Sequence, residues 1–358
     1  MRFPNLNDLD REQRRVYGKA PNDGAVLVVG APGTGKTIMA FHRAEKMLDL
    51  GQEPRVIMFN KVLARYTRTR DRVAAAAPVS TMNRWVSKWW LETFGEKTPN
   101  IARFKPDWLA MLRKVQEARA DPRIMEKLHW GHLIVDEGQD FPEDMYTFLG
   151  TVLGLDAWRT AENPPALTVF ADDNQRLGLG ENSSTKKIAF RLGLPGNNDR
   201  VFLLEKNYRN TLQIAKLASY FQVGHWTGAS KFPDREGPIP LGLFCKETGG
   251  LVGYISRRCK ANPGKQIGVI VPGRKTNVTS MVRSLRDQLS ETNFRVQGYV
   301  SGDDELTDKD LDFDAKDTVT IVHYQSAKGL EFDAVYFIML EELNPDSGGV
   351  LQSEWYYM

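Results

Sequence analysis

Cysteine is scarce in this sequence: Cys245 and Cys259 are the only two among 358 residues. They are too few and too widely spaced for a disulfide framework or a zinc site, and they read as core thiols. The five histidines are scattered without a His/Cys/carboxylate cluster, so a metal delivered with a substrate is the only one expected. No run of about eighteen apolar residues offers a membrane span, and no membrane partner is expected. The opening Met1-Arg2-Phe3-Pro4-Asn5-Leu6 lacks the apolar core of a secretory signal, which predicts a cytoplasmic location. Neither sign of charge dominates, with 48 Lys and Arg against 45 Asp and Glu. A net charge of +3 permits polyanion binding without demanding it.

What is present begins with Gly30-Ala31-Pro32-Gly33-Thr34-Gly35-Lys36-Thr37, a full G-x-x-x-x-G-K-T phosphate loop. The apolar run Ala25-Val26-Leu27-Val28-Val29 before it predicts a buried parallel strand, and the spacing over 38–48 predicts a helix packed on a sheet. Gly30, Gly33 and Gly35 let successive N–H groups, with that of Thr34, face phosphates at the helix N-terminus. Lys36 then reaches the β/γ oxygens and Thr37 joins the magnesium shell. About a hundred residues later, His132-Leu133-Ile134-Val135 predicts another strand, followed by Asp136-Glu137-Gly138-Gln139-Asp140. That sequence supplies a magnesium carboxylate, a hydrolytic base and a polar reporter beside them. The pair of motifs points to ATP and Mg2+ used by a motor that couples hydrolysis to movement.

At 358 residues two domains are expected. Strands are predicted at 55–59, 167–171 and 201–204, then at 267–271, 295–300, 318–322 and 334–338, alternating with helices as in two doubly wound parallel units. The Lys- and Arg-studded segment 92–130 reads as a small helical insertion in the first unit. Lys61, Arg65, Arg68, Arg70 and Arg72, followed by Trp85, Lys88, Trp89 and Trp90, suit a single-strand groove in which cations track phosphates and rings stack bases. A solvated helix face with core tryptophans fits the same residues. The acidic stretch 303–317 carries alternating Asp308, Asp310, Asp312 and Asp314, but Phe313 and Val319 stand where a calcium loop needs Gly and Glu. A solvated surface loop is expected there.

In their order along nearly the whole chain, these motifs resemble those of the UvrD/Rep-like superfamily 1 helicases. Leu9-Asp10-Arg11-Glu12-Gln13 resembles the Q motif, which implies that Gln13 reads adenine. The segments 56–65 and 79–85 resemble the strand-contacting motifs, implying nucleic-acid roles for Phe59, Asn60, Lys61, Arg65, Thr81, Asn83 and Trp85. Asp136 holds magnesium and Glu137 activates water in the matching motif. Ala171-Asp172-Asp173-Asn174-Gln175 implies a γ-phosphate contact for Gln175, although Arg176-Leu177-Gly178 stands where the family has base-stacking rings. Asn207-Tyr208-Arg209-Asn210 implies Tyr208 stacked on adenine and Arg209 reaching the γ-phosphate across an interdomain cleft. His323 to Phe332 resembles the motif linking nucleotide to strand, with His323 on the strand side and Gly329 and Glu331 on the nucleotide side.

The resemblance implies two RecA-like P-loop NTPase domains, each a mainly parallel sheet flanked by helices. The expected division is 1–204 and 205–358. The spacing from 207 to 323 leaves no room for a large accessory subdomain, and the sequence ends at Gln352 to Met358 without the Thr-Arg of the last motif, so the second domain reads as incomplete. The implied activity is ATP-dependent translocation on single-stranded nucleic acid, 3′ to 5′ on DNA. A nucleotide-gated regulatory subunit controlling a partner such as a nuclease, and an RNA-directed motor, remain open at this point.

Overall fold

The computed structural model describes residues 5–59, 77–173, 182–194, 196, 199–220, 232–245, 247–313 and 315–340. The chain divides into two compact units, 2–238 and 239–358.

The first unit is built on strands β1 (Ala25–Gly30), β2 (Pro54–Met58), β3 (Val79–Thr81), β6 (His132–Val135), β7 (Ala166–Ala171) and β8 (Val201–Leu204), with β4 (Asn100–Ala102) and β5 (Lys105–Pro106) set apart as a short antiparallel hairpin. The six strands lie in the order β3-β2-β6-β7-β1-β8, and every pairing is parallel. All residues of β1, β6 and β7 are buried, which is why these strands read as unbroken apolar runs instead of alternating ones. Parallel strands require crossovers. The helix Lys36–Asp49, which packs against β2, β6 and β7, supplies the first of them.

Five tryptophans, Trp85, Trp89, Trp90, Trp108 and Trp130, pack into one core cluster with Phe148, Leu149 and the strand residues Leu133 and Leu167. The segment expected to be a purely helical insertion also contains the β4–β5 hairpin, between helices Met82–Phe94 and Trp108–Ala118. The sequence reading missed the hairpin because its residues show no run of alternation long enough to signal a strand. Local chemistry marks the helices that follow it. Asp107 accepts the Ala110 N–H at 2.9 Å, and Asp121 caps Pro122–Leu128 with Pro122 at its start.

The second unit holds a four-stranded, all-parallel sheet in the order β10-β11-β9-β12, from β9 (Gln266–Val271), β10 (Arg295–Tyr299), β11 (Thr318–His323) and β12 (Ala334–Phe337). The helix Lys275–Leu289 buries Val278, Met281, Val282, Leu285 and Leu289, an amphipathic stripe at helical spacing. Gly268 in β9 admits the Phe332 ring: a side chain there would meet it at 2.4 Å. The acidic stretch corrects an expectation. Leu306, Leu311 and Phe313 are each 5% exposed and anchor it to the unit, while Asp304, Glu305, Lys309, Asp310 and Lys316 face solvent. Among the described residues no helix is long and apolar enough to cross a membrane. The end of the sequence, where the missing last motif was sought, lies outside the described residues.

Candidate active site

The carboxyl ends of β1, β6 and β7 lie side by side in the first sheet, at the edge where open parallel sheets bind ligands. The loop from β1 to the helix Lys36–Asp49 wraps as the sequence requires. Gly33 and Gly35 take φ of 78° and 87°, left-handed values that favour glycine. A side chain at Gly33 would stand 2.4 Å from Asn207 Oδ1 and one at Gly35 2.7 Å from Gln13 Nε2. Lys36 and Thr37 occupy the first helical turn and are buried. Backbone N–H groups at such a turn are unpaired within the helix and attract anions.

Lys36 Nζ donates to the carbonyls of Gly30 at 2.8 Å and Ala31 at 3.2 Å, and lies 3.6 Å from the Asp172 carboxylate. Thr37 Oγ1 donates to Asp136 Oδ2 at 2.8 Å. Asp136 itself is completely buried at the end of β6. Burial, and then the neighbouring Glu137 charge, raise its carboxyl well above the ordinary range, while the Thr37 hydroxyl and Lys36 oppose that rise. A carboxylate and a hydroxyl at this spacing are the hard oxygen donors that magnesium takes. A divalent cation would also relieve the charge burden on Asp136.

Glu137 follows with φ of 54°, a left-handed backbone for a non-glycine residue. Such strain persists where surrounding structure over-determines it. Here a tight turn, Gly138–Asp140, does so, and Gln139 donates to the Glu137 carboxylate at 2.8 Å.

Around the loop, Gln13 Nε2 donates to the Thr34 carbonyl at 3.1 Å while its Oε1 accepts the Asp10 N–H at 3.2 Å. This is the capping box that starts helix Arg11–Lys19. Tyr208 donates its backbone N–H to the Gly33 carbonyl at 2.8 Å and its hydroxyl to the Asp10 carboxylate. Burial, reinforced by that bond, raises the Tyr208 hydroxyl above its usual pKa. Glu12 accepts the backbone N–H groups of Glu205 at 2.7 Å and Lys206 at 3.3 Å. These bonds hold 205–210 against the phosphate loop. The division of the chain accordingly falls after 238, beyond the expected 204. The expectation that Arg209 approaches from the second unit is corrected for the same reason: it belongs to the unit that carries the loop.

Of the residues expected to meet nucleic acid, Phe59 is exposed beyond β2 with its ring edge-on to Phe141 at 5.7 Å. Thr81 and Asn83 are half-buried where β3 enters the helix Met82–Phe94. Trp85 is a correction: it is 6% exposed and stacked on Trp89 at 5.3 Å, so its ring serves the core and cannot stack a base. Asn60, Lys61, Arg65 and Gln175 lie outside the described residues. In the second unit, His323 is buried at the end of β11 and bonded through Nε2 to the Gly273 carbonyl at 3.0 Å, and burial lowers its pKa. Gly329 takes φ of 82° in the turn that leads to half-buried Glu331.

Sequence reasoning did not assign Glu12, Asp172 or the contact between Asp10 and Tyr208. Asp172 carried one usable signal, its place directly after a buried strand, the same place that Asp136 holds.

The family model described as an AAA domain matches residues 13–181. No curated protein matches the chain. Solved structures similar to it include the Pif1 helicase from Candida albicans, at 14% identity and TM-score 0.44 over 80% of this chain and 55% of that one. Bacteroides Pif1 bound to ssDNA is similar at 13% identity and TM-score 0.36, over 80% of this chain and 57% of that one. The chain spans little more than half the length of these solved structures. The similarity to the AAA domain family covers the phosphate loop and the Asp136-Glu137 turn together.

Proposed function

We propose that the chain is an ATP-driven single-stranded nucleic-acid motor of superfamily 1 helicase type, UvrD/Rep-like, moving 3′ to 5′ on DNA. The observation that carries this reading is the meeting of Lys36, Thr37, Asp136 and Glu137 at adjacent strand ends, with Thr37 and Asp136 2.8 Å apart. On binding ATP, Lys36 exchanges the Gly30 and Ala31 carbonyls for β/γ oxygens, and the N–H groups of 33–37 surround the phosphates. Magnesium held by Thr37 and Asp136 would neutralise charge on the phosphates. Glu137 takes the proton of the attacking water. Gln13 and Tyr208 flank the base, and Arg209 and Gln175 meet the γ-phosphate. Gly329 and Glu331 are further nucleotide-binding residues. Phe59, Asn60, Lys61, Arg65, Thr81, Asn83 and His323 contact the strand.

The test is ATP hydrolysis with and without single-stranded DNA, for the wild-type chain and Lys36→Ala. Stimulation by DNA is expected, with a loss of about 10²–10³-fold in the variant, the scale of removing one charge-stabilising donor. Wild-type turnover by Lys36→Ala would overturn the site. Strand displacement on 3′-tailed against 5′-tailed duplexes checks the direction.

A further inference from the structure

Gln139 is completely buried behind the two acidic residues of the site. Its Nε2 donates to the Glu137 carboxylate at 2.8 Å, and its Oε1 accepts the backbone N–H of Asp172 at 2.9 Å. A backbone N–H can only donate, so Asp172 dictates which end of the amide is oxygen and turns the NH2 toward Glu137. The turn that carries Gln139 is itself fixed. Its carbonyl accepts the Ser183 N–H at 3.0 Å, and the Gly138 carbonyl accepts the Tyr146 hydroxyl at 2.5 Å. A side chain at 138 would strike Val169 at 2.4 Å. At the far end of the connection, the Asp172 carboxylate lies 3.6 Å from Lys36 Nζ. A single amide therefore joins the end of β7, where Asp172 faces the phosphate-loop lysine, to the carboxylate beside β6.

We propose that Gln139 is a positioning residue that holds the Glu137 carboxylate in line with the water attacking the nucleoside triphosphate and ties it to the Asp172 backbone. The inference rests on the reading of Glu137 as the hydrolytic base. Glutamate has three side-chain torsions, and a left-handed backbone at Glu137 does not restrict its terminal carboxylate. The hydrogen bond from a buried, immobilised donor supplies that restriction. Loss of it lets the base leave its attack position, and a misplacement of about 1 Å costs roughly 10²-fold in rate.

The experiment compares Gln139→Met, which keeps length and bulk but removes both polar ends, with Gln139→Glu, which keeps an acceptor for Asp172 and sets oxygen against Glu137. Both are expected to bind a non-hydrolysable ATP analogue as the wild-type chain does. Single-turnover hydrolysis should fall about 10²-fold, so that kcat drops while KM holds. In a Glu137→Ala background, Gln139→Met should cause no further loss, because the group it positions is gone. Wild-type hydrolysis by Gln139→Met, or the same loss with and without Glu137, would overturn the proposal. If Gln139→Met does not fold, Gln139→Glu gives the same comparison. A wild-type chain that hydrolyses no ATP overturns the functional reading and this inference together, whereas an active wild type beside an active Gln139→Met overturns this inference alone.

Discussion

The first unit's sheet and the second unit's sheet are both all-parallel, yet they bury different chemistry. At the ends of β1, β6 and β7 the first buries Lys36, Asp136, Glu137 and Asp172 within one connected set of contacts. In the second, Gln297 donates to Thr320 at 2.9 Å and to the Asp312 carbonyl at 2.9 Å, and burial lowers the pKa of His323. Lys328 is the one formal charge buried among its described residues. Burying charge is costly unless it is paired. Four clustered charges are therefore a poor way to stabilise a sheet and a good way to build a reactive centre. The neutral hydrogen bonds of the second sheet stitch strands and loops together. Equal architecture with unequal burial of charge marks the first unit's strand ends as the candidate reactive centre, a distinction that fold alone would not have made.

The strongest way to break that comparison is Glu137→Gln. Nucleotide binding should persist, since Asp136, Thr37 and Lys36 are intact, while hydrolysis falls about 10²–10⁴-fold with the loss of the base. Binding by fluorescence titration and single-turnover hydrolysis separate the two effects. If binding disappeared with turnover, Glu137 would be a structural charge.

Next in size is Trp85→Ala. Removing a buried aromatic should cost about 3–5 kcal/mol of stability, with single-strand affinity unchanged in the folded protein. Chemical denaturation and a DNA titration check both halves. Lost affinity without lost stability would return Trp85 to the nucleic-acid surface.

A pH measurement sharpens the contrast within the first unit. His132, at the start of β6, bonds Thr168 at 2.8 Å and Gln52 at 3.2 Å, and burial lowers its pKa to about 3. The unfolded chain takes up this proton near pH 6.5 and the folded one does not. Stability from His132 is thus fully present well above pH 6.5 and declines as pH falls toward 3, the slope rising to roughly 1.4 kcal/mol per unit between the two values. Denaturation midpoints between pH 7.5 and 5 should show the decline, and His132→Gln should flatten it. An unchanged slope in the variant would assign the acid sensitivity elsewhere.

The smallest expected effect concerns Lys61 and Arg65. Neutralising both should reduce the salt slope of single-strand binding by roughly one unit per lost phosphate contact. An unchanged slope would make the cluster a solvated face.

The sequence by itself determined the phosphate loop and, β3 apart, the strands of the two parallel sheets. Their signals are local: unbroken apolar runs such as 25–29, glycines where backbone must turn left-handed, and Lys-Thr at a helix start. Asp136 and Glu137 were legible because they directly follow a buried strand. Tertiary structure decided what the same residue types do when their partners are remote in sequence. Trp85 was ambiguous between groove and core until Trp89 and Trp130 closed over it. Residues 205–210 joined the phosphate-loop unit through Glu12 and Gly33, about 175 to 195 positions away in the chain. The orientation of Gln139 follows from an N–H donor 33 residues downstream. Periodicity and motif spacing report what a residue's near neighbours require of it, whereas burial and hydrogen-bond direction depend on which distant strand end lies beside it in the folded sheet.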